Sequence, residues 1–98
     1  MPWMYILRCS DESFYSGSAW QLEQRVDEHV RGLGGRYTRG RRPVDLVFAA
    51  EFERMDEAYA FEKQVQGWSR AKRLALIEGR FSDLPELSRS KRRESTSE

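Results

Sequence analysis

Two side chains in the first half of the sequence have the types and spacing that phosphate chemistry uses. Arg25 and His29 are four residues apart, so on a helix both project from the same face. A guanidinium can hold a phosphate through two parallel hydrogen bonds, and an imidazole exchanges protons near neutral pH. Taken alone, the pair is more typical of a solvated helix surface, and that alternative stays open.

A third candidate is a carboxylate in an apolar setting. Glu62 lies between Phe61 and Val65, on or near the apolar face of a predicted helix. A buried carboxylate must be paired, protonated or bound to a metal, because burying it alone is costly. A structural ion pair with an arginine is one interpretation. A Mg²⁺ ion is the other, since Mg²⁺ commonly uses one or two carboxylates and completes its shell with water and substrate phosphate.

Two tyrosines lie on neighbouring predicted strands. The segment between Tyr5 and Tyr15 contains Asp11-Glu12, which suits a two-residue turn poorly. A loop of three or five residues is favoured instead, and it would place both tyrosines on one face of the hairpin. The alternative is a pair of ordinary core or cross-strand tyrosines.

A basic segment without any acid runs from Val30 to Val44. Its arginines are Arg31, Arg36, Arg39, Arg41 and Arg42. Between residues 36 and 42 they are mixed with Tyr37 and Gly40, which suits contact with a phosphate backbone and stacking of a base. A solvated loop is an equally good interpretation.

Hydrophobic periodicity predicts the elements that must position these side chains. Strands are predicted over residues 3–7, 14–16 and 44–52, with Gly17 ending the second and with Val44, Leu46, Phe48, Ala50 and Phe52 on one face of the third. Helices are predicted over residues 19–31, with a buried stripe of Leu22, Val26 and Val30, from near Asp56, and after a Ser69 cap. Residues 34–43 are predicted as a loop.

The order of these elements predicts the fold class. Strand, strand, helix, strand, helix, helix indicates a small α+β domain in which helices flank a three-stranded antiparallel sheet. The domain is expected to cover residues 1–79. Apolar periodicity is lost beyond Gly79, so residues 80–98 are expected to form a flexible, disordered charged tail.

The overall composition excludes several classes of protein. The chain has 98 residues, 17 basic and 16 acidic side chains and a net charge of +1, which fits one domain without general attraction to polyanions. A single cysteine, Cys9, excludes an internal disulfide. No apolar run approaches the roughly 20 residues that span a bilayer, and no signal peptide is evident. We therefore expect a cytoplasmic protein that is not associated with a membrane. Walker-type and dinucleotide motifs are absent from the sequence, so no nucleotide cofactor is expected.

Taken together, the motifs resemble the GIY-YIG nucleases, most closely their small stand-alone bacterial members. The resemblance covers residues 3–77 and rests on five elements in order. These are Trp3-Met4-Tyr5-Ile6-Leu7-Arg8-Cys9, Phe14-Tyr15-Ser16-Gly17-Ser18, Leu22-x-x-Arg25-x-x-x-His29, Arg36-Tyr37-Thr38-Arg39-Gly40-Arg41-Arg42-Pro43-Val44 and Glu62-Lys63. The first motif lacks the family's glycine, Ser16 stands where isoleucine is usual, and the chain contains no asparagine, which many members add to the site.

The resemblance implies a metal-dependent DNA endonuclease. One biological role that it allows is structure-selective cleavage in DNA repair or recombination. The implied catalytic residues are Tyr5, Tyr15, Arg25, His29 and Glu62, with Glu62 holding one Mg²⁺, for which Mn²⁺ can substitute. Tyr5 would take the proton of the attacking water, which requires a nearby cation that lowers the pKa of its phenol. The implied contacts to the DNA backbone are Arg36, Tyr37, Arg39, Arg41, Arg42 and Lys63.

Two other hypotheses stay open at this point. A nucleic-acid-binding module that keeps the fold without catalysis is motivated by the missing glycine, the missing asparagine and the basic loop. A structural interaction domain would use the acidic stretch from Glu51 to Glu57.

Overall fold

Three strands form one antiparallel sheet in a computed structural model, which describes residues 1–84. They are β1 (Trp3–Arg8), β2 (Phe14–Ala19) and β3 (Asp45–Glu51), and β1 lies between the other two. Both faces of the central strand are covered, because Met4, Tyr5, Ile6 and Leu7 are fully buried. The predicted three-stranded α+β architecture is therefore confirmed.

Within residues 1–84 the chain also forms the helices α1 (Leu22–Val30), α2 (Arg36–Arg39), α3 (Met55–Gln66) and α4 (Arg70–Ile77). The one-turn helix α2 lies in the segment predicted as a loop, so that prediction was wrong. Residues 1–66 form one compact unit that contains the sheet with α1, α2 and α3, and a second unit begins at Gly67.

The hairpin of β1 and β2 has the loop length that the turn residues favoured. Arg8 pairs with Phe14, so five residues connect the strands and Tyr5 and Tyr15 share a face, as predicted. The prediction that Gly17 ends β2 was wrong, because the strand continues to Ala19. Gly17 pairs with Tyr5 of β1 and lies inside the strand.

The two faces of the sheet carry different helices. On one face, Tyr5 and Leu7 form a core cluster against which Leu22 and Val26 of α1 pack. Helix α3 contacts β1 and β2, and its Ala58 and Val65 are fully buried. Since Met4 and Ile6 alternate with Tyr5 and Leu7 along β1, α1 and α3 cover opposite faces.

Two local predictions fail where a side chain or a backbone irregularity overrides the pattern. Helix α1 begins at Leu22 rather than Ala19, and its Val30 is half exposed while His29 is buried in its place. In β3, a register shift pairs Phe48 with Ile6 but Leu46 with Leu7. Because successive residues of β1 point to opposite faces, Leu46 and Phe48 do not share a face as the alternation predicted.

The ends of α1 and α4 follow the sequence signals. Gly32 has a φ of 83°, and the amides of Gly32 and Leu33 donate to the carbonyls of His29 and Glu28, which is the Schellman arrangement that ends a helix. Ser69 caps α4 by accepting a hydrogen bond from the Lys72 amide, as predicted.

The start of the predicted tail, residues 80–84, lies within the described part of the chain. There Arg80 forms ion pairs with Glu78 and Asp83. The rest of the predicted tail, residues 85–98, lies outside the described residues. Among helices of residues 1–84, none has both the length and the apolar character needed to cross a membrane.

Candidate active site

A tyrosine and the single histidine of the chain form a buried hydrogen-bonded pair. The Tyr5 hydroxyl lies 3.0 Å from His29 Nε2, and both side chains are almost completely buried. Tyr5 comes from the central strand and His29 from α1, on the face of the sheet that α1 covers. The sequence placed these two residues at one site, and the structure brings them into direct contact.

The other nitrogen of the imidazole is held by α2. His29 Nδ1 lies 2.7 Å from Thr38 Oγ1, and Thr38 is fully buried. The backbone at Gly34 passes directly against the imidazole, so that a Cβ at this position would overlap the ring. Helix α2 and Gly34 thus fix the orientation of His29.

Burial determines the proton state of this pair. Burial raises the pKa of the Tyr5 phenol to about 12, with a further contribution from Tyr15 and with Arg25 opposing it. Burial, followed by the positive charge of Arg25, lowers the pKa of His29, and Glu28 opposes that shift. At neutral pH the phenol therefore keeps its proton and the imidazole is neutral. In the tautomer with hydrogen on Nδ1, the phenol donates to Nε2 and Nδ1 donates to Thr38 Oγ1.

The expected effect of a nearby cation is present, because Arg25 lowers the pKa of the Tyr5 phenol, but burial outweighs it and the net shift is upward. The desolvation cost of a buried phenolate is the physical reason.

The hydroxyl of Tyr5 reaches the outer edge of the sheet over Gly17. The two residues are cross-strand partners in β1 and β2, and β2 is an edge strand. A Cβ at residue 17 would lie 2.5 Å from the Tyr5 hydroxyl oxygen. Gly17 is therefore required for the close approach of the phenol, which explains a glycine inside a strand.

Glu62 approaches the same edge from the opposite face of the sheet. It is only 8% exposed on α3, as its place on the apolar face predicted. Its Oε1 accepts a hydrogen bond from Ser18 Oγ at 2.8 Å, next to Gly17 in the chain. Its Oε2 accepts one from Gln66 Nε2 at 2.8 Å. The carboxylate also raises the pKa of Tyr5, so the two groups interact electrostatically at the edge of β2.

The partners of Glu62 bear on whether it could hold a metal. Its two closest partners, Ser18 and Gln66, are neutral, whereas Lys63 Nζ lies farther away at 3.9 Å. Each carboxylate oxygen has lone pairs beyond the one hydrogen bond described. Within residues 1–84, no cluster of three or more His, Cys, Asp or Glu side chains is arranged around a metal position. A single carboxylate with unused lone pairs is the kind of protein ligand that Mg²⁺ accepts when water and phosphate complete its coordination shell.

Arg25 and Tyr15 complete the group. The Arg25 side chain is 44% exposed and its Nε lies 3.2 Å from Glu28 Oε1, so it faces solvent while influencing both Tyr5 and His29. The Tyr15 ring packs against His29 with 5.1 Å between ring centroids. The structure thus brings all five predicted catalytic side chains to one edge of the sheet.

Four of the side chains predicted to contact nucleic acid already interact with other residues of the protein. Tyr37 stacks on Tyr15, and the Arg41 guanidinium lies 3.9 Å from the centre of the Tyr37 ring and pairs with Asp11. Arg42 donates to the Val30 carbonyl. Lys63 lies over the Tyr59 ring.

Arg36 and Arg39 differ from these residues. Both are exposed on α2, and neither guanidinium forms an ion pair with a residue in the described range 1–84.

Several residues of this site were not predicted. Thr38 lay in a segment predicted as a loop, and Gly17 was interpreted as a strand end. Ser18 and Gln66 orient Glu62, and only the i, i+4 spacing of Glu62 and Gln66 offered a signal for one of them. Ser16 shares a face of β2 with Ser18, and its buried hydroxyl finds no hydrogen-bond partner among the described residues.

Comparison with known proteins gives consistent matches. The sequence profile of the GIY-YIG catalytic domain matches residues 1–75. UPF0213 proteins of Staphylococcus aureus strains Mu3 and N315 are 43% identical over 77 residues, which is 79% of this chain and 94% of theirs. The solution NMR structure of the UPF0213 protein BH0048 from Bacillus halodurans is 38% identical with a TM-score of 0.53, covering 80% of this chain and 84% of that one.

Proposed function

The chain belongs to the GIY-YIG catalytic-domain family, a nuclease family, and we propose that it is a metal-dependent endonuclease that hydrolyses phosphodiester bonds in DNA. The observation that carries the proposal is the convergence on the Tyr5 hydroxyl. His29 lies 3.0 Å from it, and Arg25 and Glu62 both act on its pKa. A phenol, an imidazole, a guanidinium and a carboxylate together cover the proton and charge requirements of phosphodiester hydrolysis.

The proton of the attacking water passes to Tyr5 while Tyr5 gives its own proton to His29. With a pKa of about 12, Tyr5 is ionised in only roughly one molecule in 10⁵ at pH 7, so it does not act as a preformed base. In a coupled transfer, the water proton goes to the Tyr5 oxygen as the Tyr5 proton goes to His29 Nε2. The resulting imidazolium keeps its Nδ1 hydrogen bond to Thr38.

Arg25 and Tyr15 serve the reacting phosphate. The fork of the Arg25 guanidinium matches two phosphoryl oxygens, whose negative charge grows in the transition state. Tyr15 packs against His29 and lies 6.5 Å from Tyr5 between ring centroids, where its hydroxyl orients the nucleophile or the phosphate.

Glu62 is the proposed ligand of Mg²⁺, and Mn²⁺ can substitute. When bound, the ion supplies positive charge for the phosphate and the leaving oxygen. Ser18 and Gln66 fix the orientation of the carboxylate, a task on which metal sites commonly depend.

The test is cleavage of plasmid and branched DNA by purified protein with Mg²⁺ or Mn²⁺. We expect the wild-type protein to cut, and Glu62→Gln and Tyr5→Phe to lose at least about a hundredfold in rate. Glu57→Gln, an exposed glutamate on the same helix, is the matched control and should cut normally. Equal cleavage by wild type and Glu62→Gln would sink the proposal.

Two observations favour a second candidate, a DNA-binding module without catalysis. The raised pKa of Tyr5 removes the simplest route to a base, and the chain lacks asparagine. This candidate predicts salt-sensitive DNA binding without cleavage under either metal.

Branched substrates in the panel also test the finer proposal of structure-selective cleavage in repair or recombination.

A further inference from the structure

An exposed tryptophan lies beside the proposed active site, and most of its side chain is not buried in the fold. Trp20 is 61% exposed in the turn between β2 and α1. Ser18, which binds Glu62, precedes it by two residues, and Arg25 follows it by five. A tryptophan that stabilised the fold would be largely buried, because its large apolar ring gains most from leaving water.

Trp20 and Arg25 line one cavity on the protein surface. The cavity has a volume of about 140 Å³, and its lining is completed by Ala19, Gln21, Gln24 and Glu28. It therefore combines an aromatic face, two side-chain amides and the guanidinium that we assign to the phosphate. Bases stack on aromatic faces, and amides and carboxylates form hydrogen bonds with the edges of bases. A guanidinium binds the phosphate backbone of the nucleic acid.

Charge determines the side on which a nucleic acid strand would pass. A second cavity, of about 450 Å³, lies on another side of Trp20 and is lined by Glu23 and Glu51 together with Met1 and Trp3. The cavity of Trp20 and Arg25 is lined by one guanidinium and one carboxylate, Glu28, which form an ion pair at 3.2 Å. The second cavity has two carboxylates and no arginine or lysine in its lining, so it repels a phosphate backbone more strongly. The strand is therefore expected on the Arg25 side of Trp20.

We propose that Trp20 is a stacking platform for one unpaired nucleobase next to the scissile phosphate, so that the substrate carries an unpaired nucleotide there. This inference rests on the proposed function, because it takes Arg25 as the phosphate ligand. In a continuous duplex both faces of each base are covered by its neighbours. A protein ring can stack on a base only where the strand is single, branched or locally opened.

The test uses the intact protein labelled with 5-fluorotryptophan in EDTA, so that binding is observed without cleavage. The chain has three tryptophans, and loss of one ¹⁹F signal in Trp20→Phe assigns the Trp20 resonance. The protein is titrated with a single-stranded oligonucleotide, a fully paired duplex and an abasic oligomer of the same length. We expect the Trp20 signal to shift with the single strand and to stay in place with the duplex and the abasic oligomer.

Affinity measurements on variants provide the second readout. Trp20→Ala should weaken binding to the single strand about tenfold or more, as expected when one base-aromatic stack is removed, and should leave duplex binding unchanged. Trp20→Phe should keep most of the affinity. Leu33→Ala, at an exposed apolar residue that lines neither cavity, is the control and should change nothing.

The outcomes separate this inference from the proposed function. If wild-type protein cuts DNA but the Trp20 signal does not move on binding, or if Trp20→Ala weakens every ligand equally, the base platform is wrong and the nuclease stands. If the Trp20 signal moves as expected but no metal supports cleavage, the base platform stands and the nuclease fails.

Discussion

Among single residues, His29 is held by two hydrogen bonds, one to each nitrogen of its imidazole. His29 Nε2 faces Tyr5 at 3.0 Å and Nδ1 faces Thr38 at 2.7 Å. The tautomer with hydrogen on Nδ1 leaves Nε2 free to accept the Tyr5 proton. We therefore expect Thr38 to be a positioning residue, which would act on the reaction through His29.

Changing Thr38 to valine should alter the tautomer as well as the rate. Thr38→Val keeps the side-chain shape but removes the acceptor for Nδ1, so we expect Nε2 to carry the hydrogen and kcat to fall about tenfold or more, with KM for DNA little changed. Thr38→Ser should restore both. Imidazole ¹⁵N chemical shifts report the tautomer directly, because the chain has a single histidine. An unchanged Nδ1-protonated imidazole in Thr38→Val would contradict the assigned role.

The same histidine should make stability depend on pH. Its pKa is lowered in the folded state by burial and Arg25, against Glu28. The unfolded chain therefore binds the proton first as the pH falls below about 6.5, and the free energy of unfolding decreases. Urea denaturation should show this loss between pH 7 and pH 5.5 in wild type. In His29→Gln the loss over this interval should be largely absent, and an equal loss in the variant would refute the linkage.

Single residues differed in how far the sequence could predict them. Glu62 was identified as a carboxylate on an apolar helix face, because helical spacing fixes which face a residue occupies. Thr38 was not, since its role depends on a tertiary contact nine residues away in a segment without clear periodicity. The direction of the Tyr5 pKa shift was missed for a related reason: only the fold determines that burial exceeds the effect of Arg25.

At the scale of elements, the edge strand β2 determines whether the tyrosine can reach the site. Its Gly17 lies under the phenol of Tyr5, and Ser18 orients Glu62 from the other side. The prediction that Gly17 ends the strand followed the usual behaviour of glycine. It failed because a glycine in a strand can also mark a place where a ring approaches the backbone.

Adding one methyl group at Gly17 should therefore displace Tyr5. We expect Gly17→Ala to lose most activity and to lower the free energy of unfolding by about 1–3 kcal/mol, as for overpacking of a filled core. Gly40→Ala is the matched control, because nothing lies within 4 Å of its added Cβ. Chemical denaturation and cleavage assays measure the two effects. Normal activity in Gly17→Ala would mean that Tyr5 does not need its observed position.

The helix α2 should supply DNA contacts through two of its arginines. Arg36 and Arg39 are exposed, whereas Arg41 pairs with Asp11. Replacing Arg36 and Arg39 with alanine should weaken DNA binding and reduce the slope of log K against log salt by about 0.9 for each phosphate that the variant no longer neutralises. Arg54→Ala, whose guanidinium is paired with Asp56, should leave the slope unchanged. An unchanged slope in the double variant would place the DNA elsewhere.

Element types were predictable from the sequence, whereas their irregularities were not. An apolar run and the turn after it identified the first two strands, and alternation identified the third. The hydrophobic stripes and the Ser69 cap identified the three longer helices, because burial of one face imposes its period on the sequence. The one-turn helix α2 is too short to show a period. The bulge in β3 arises from its pairing with β1, which the pattern of one strand does not encode.

At the scale of the whole molecule, the site is assembled around the edge of a sheet. Tyr5 and His29 lie on the face that α1 covers, and Glu62 comes from α3 on the other face. The sequence motifs indicated that these residues meet, through resemblance to a family. They did not indicate that the contact passes around β2, because this follows only from the strand order β2-β1-β3.

Paramagnetic broadening tests whether a metal held by Glu62 lies next to the Tyr5 phenol at this edge. Addition of Mn²⁺ to ¹⁵N-labelled protein should broaden the amide signals of Gly17, Ser18 and Gln66 first, along with the ring signals of Tyr5. Glu62→Gln should abolish the effect, and the control Glu57→Gln should retain it. Broadening centred on another part of the chain, or broadening that persists in Glu62→Gln, would contradict the account.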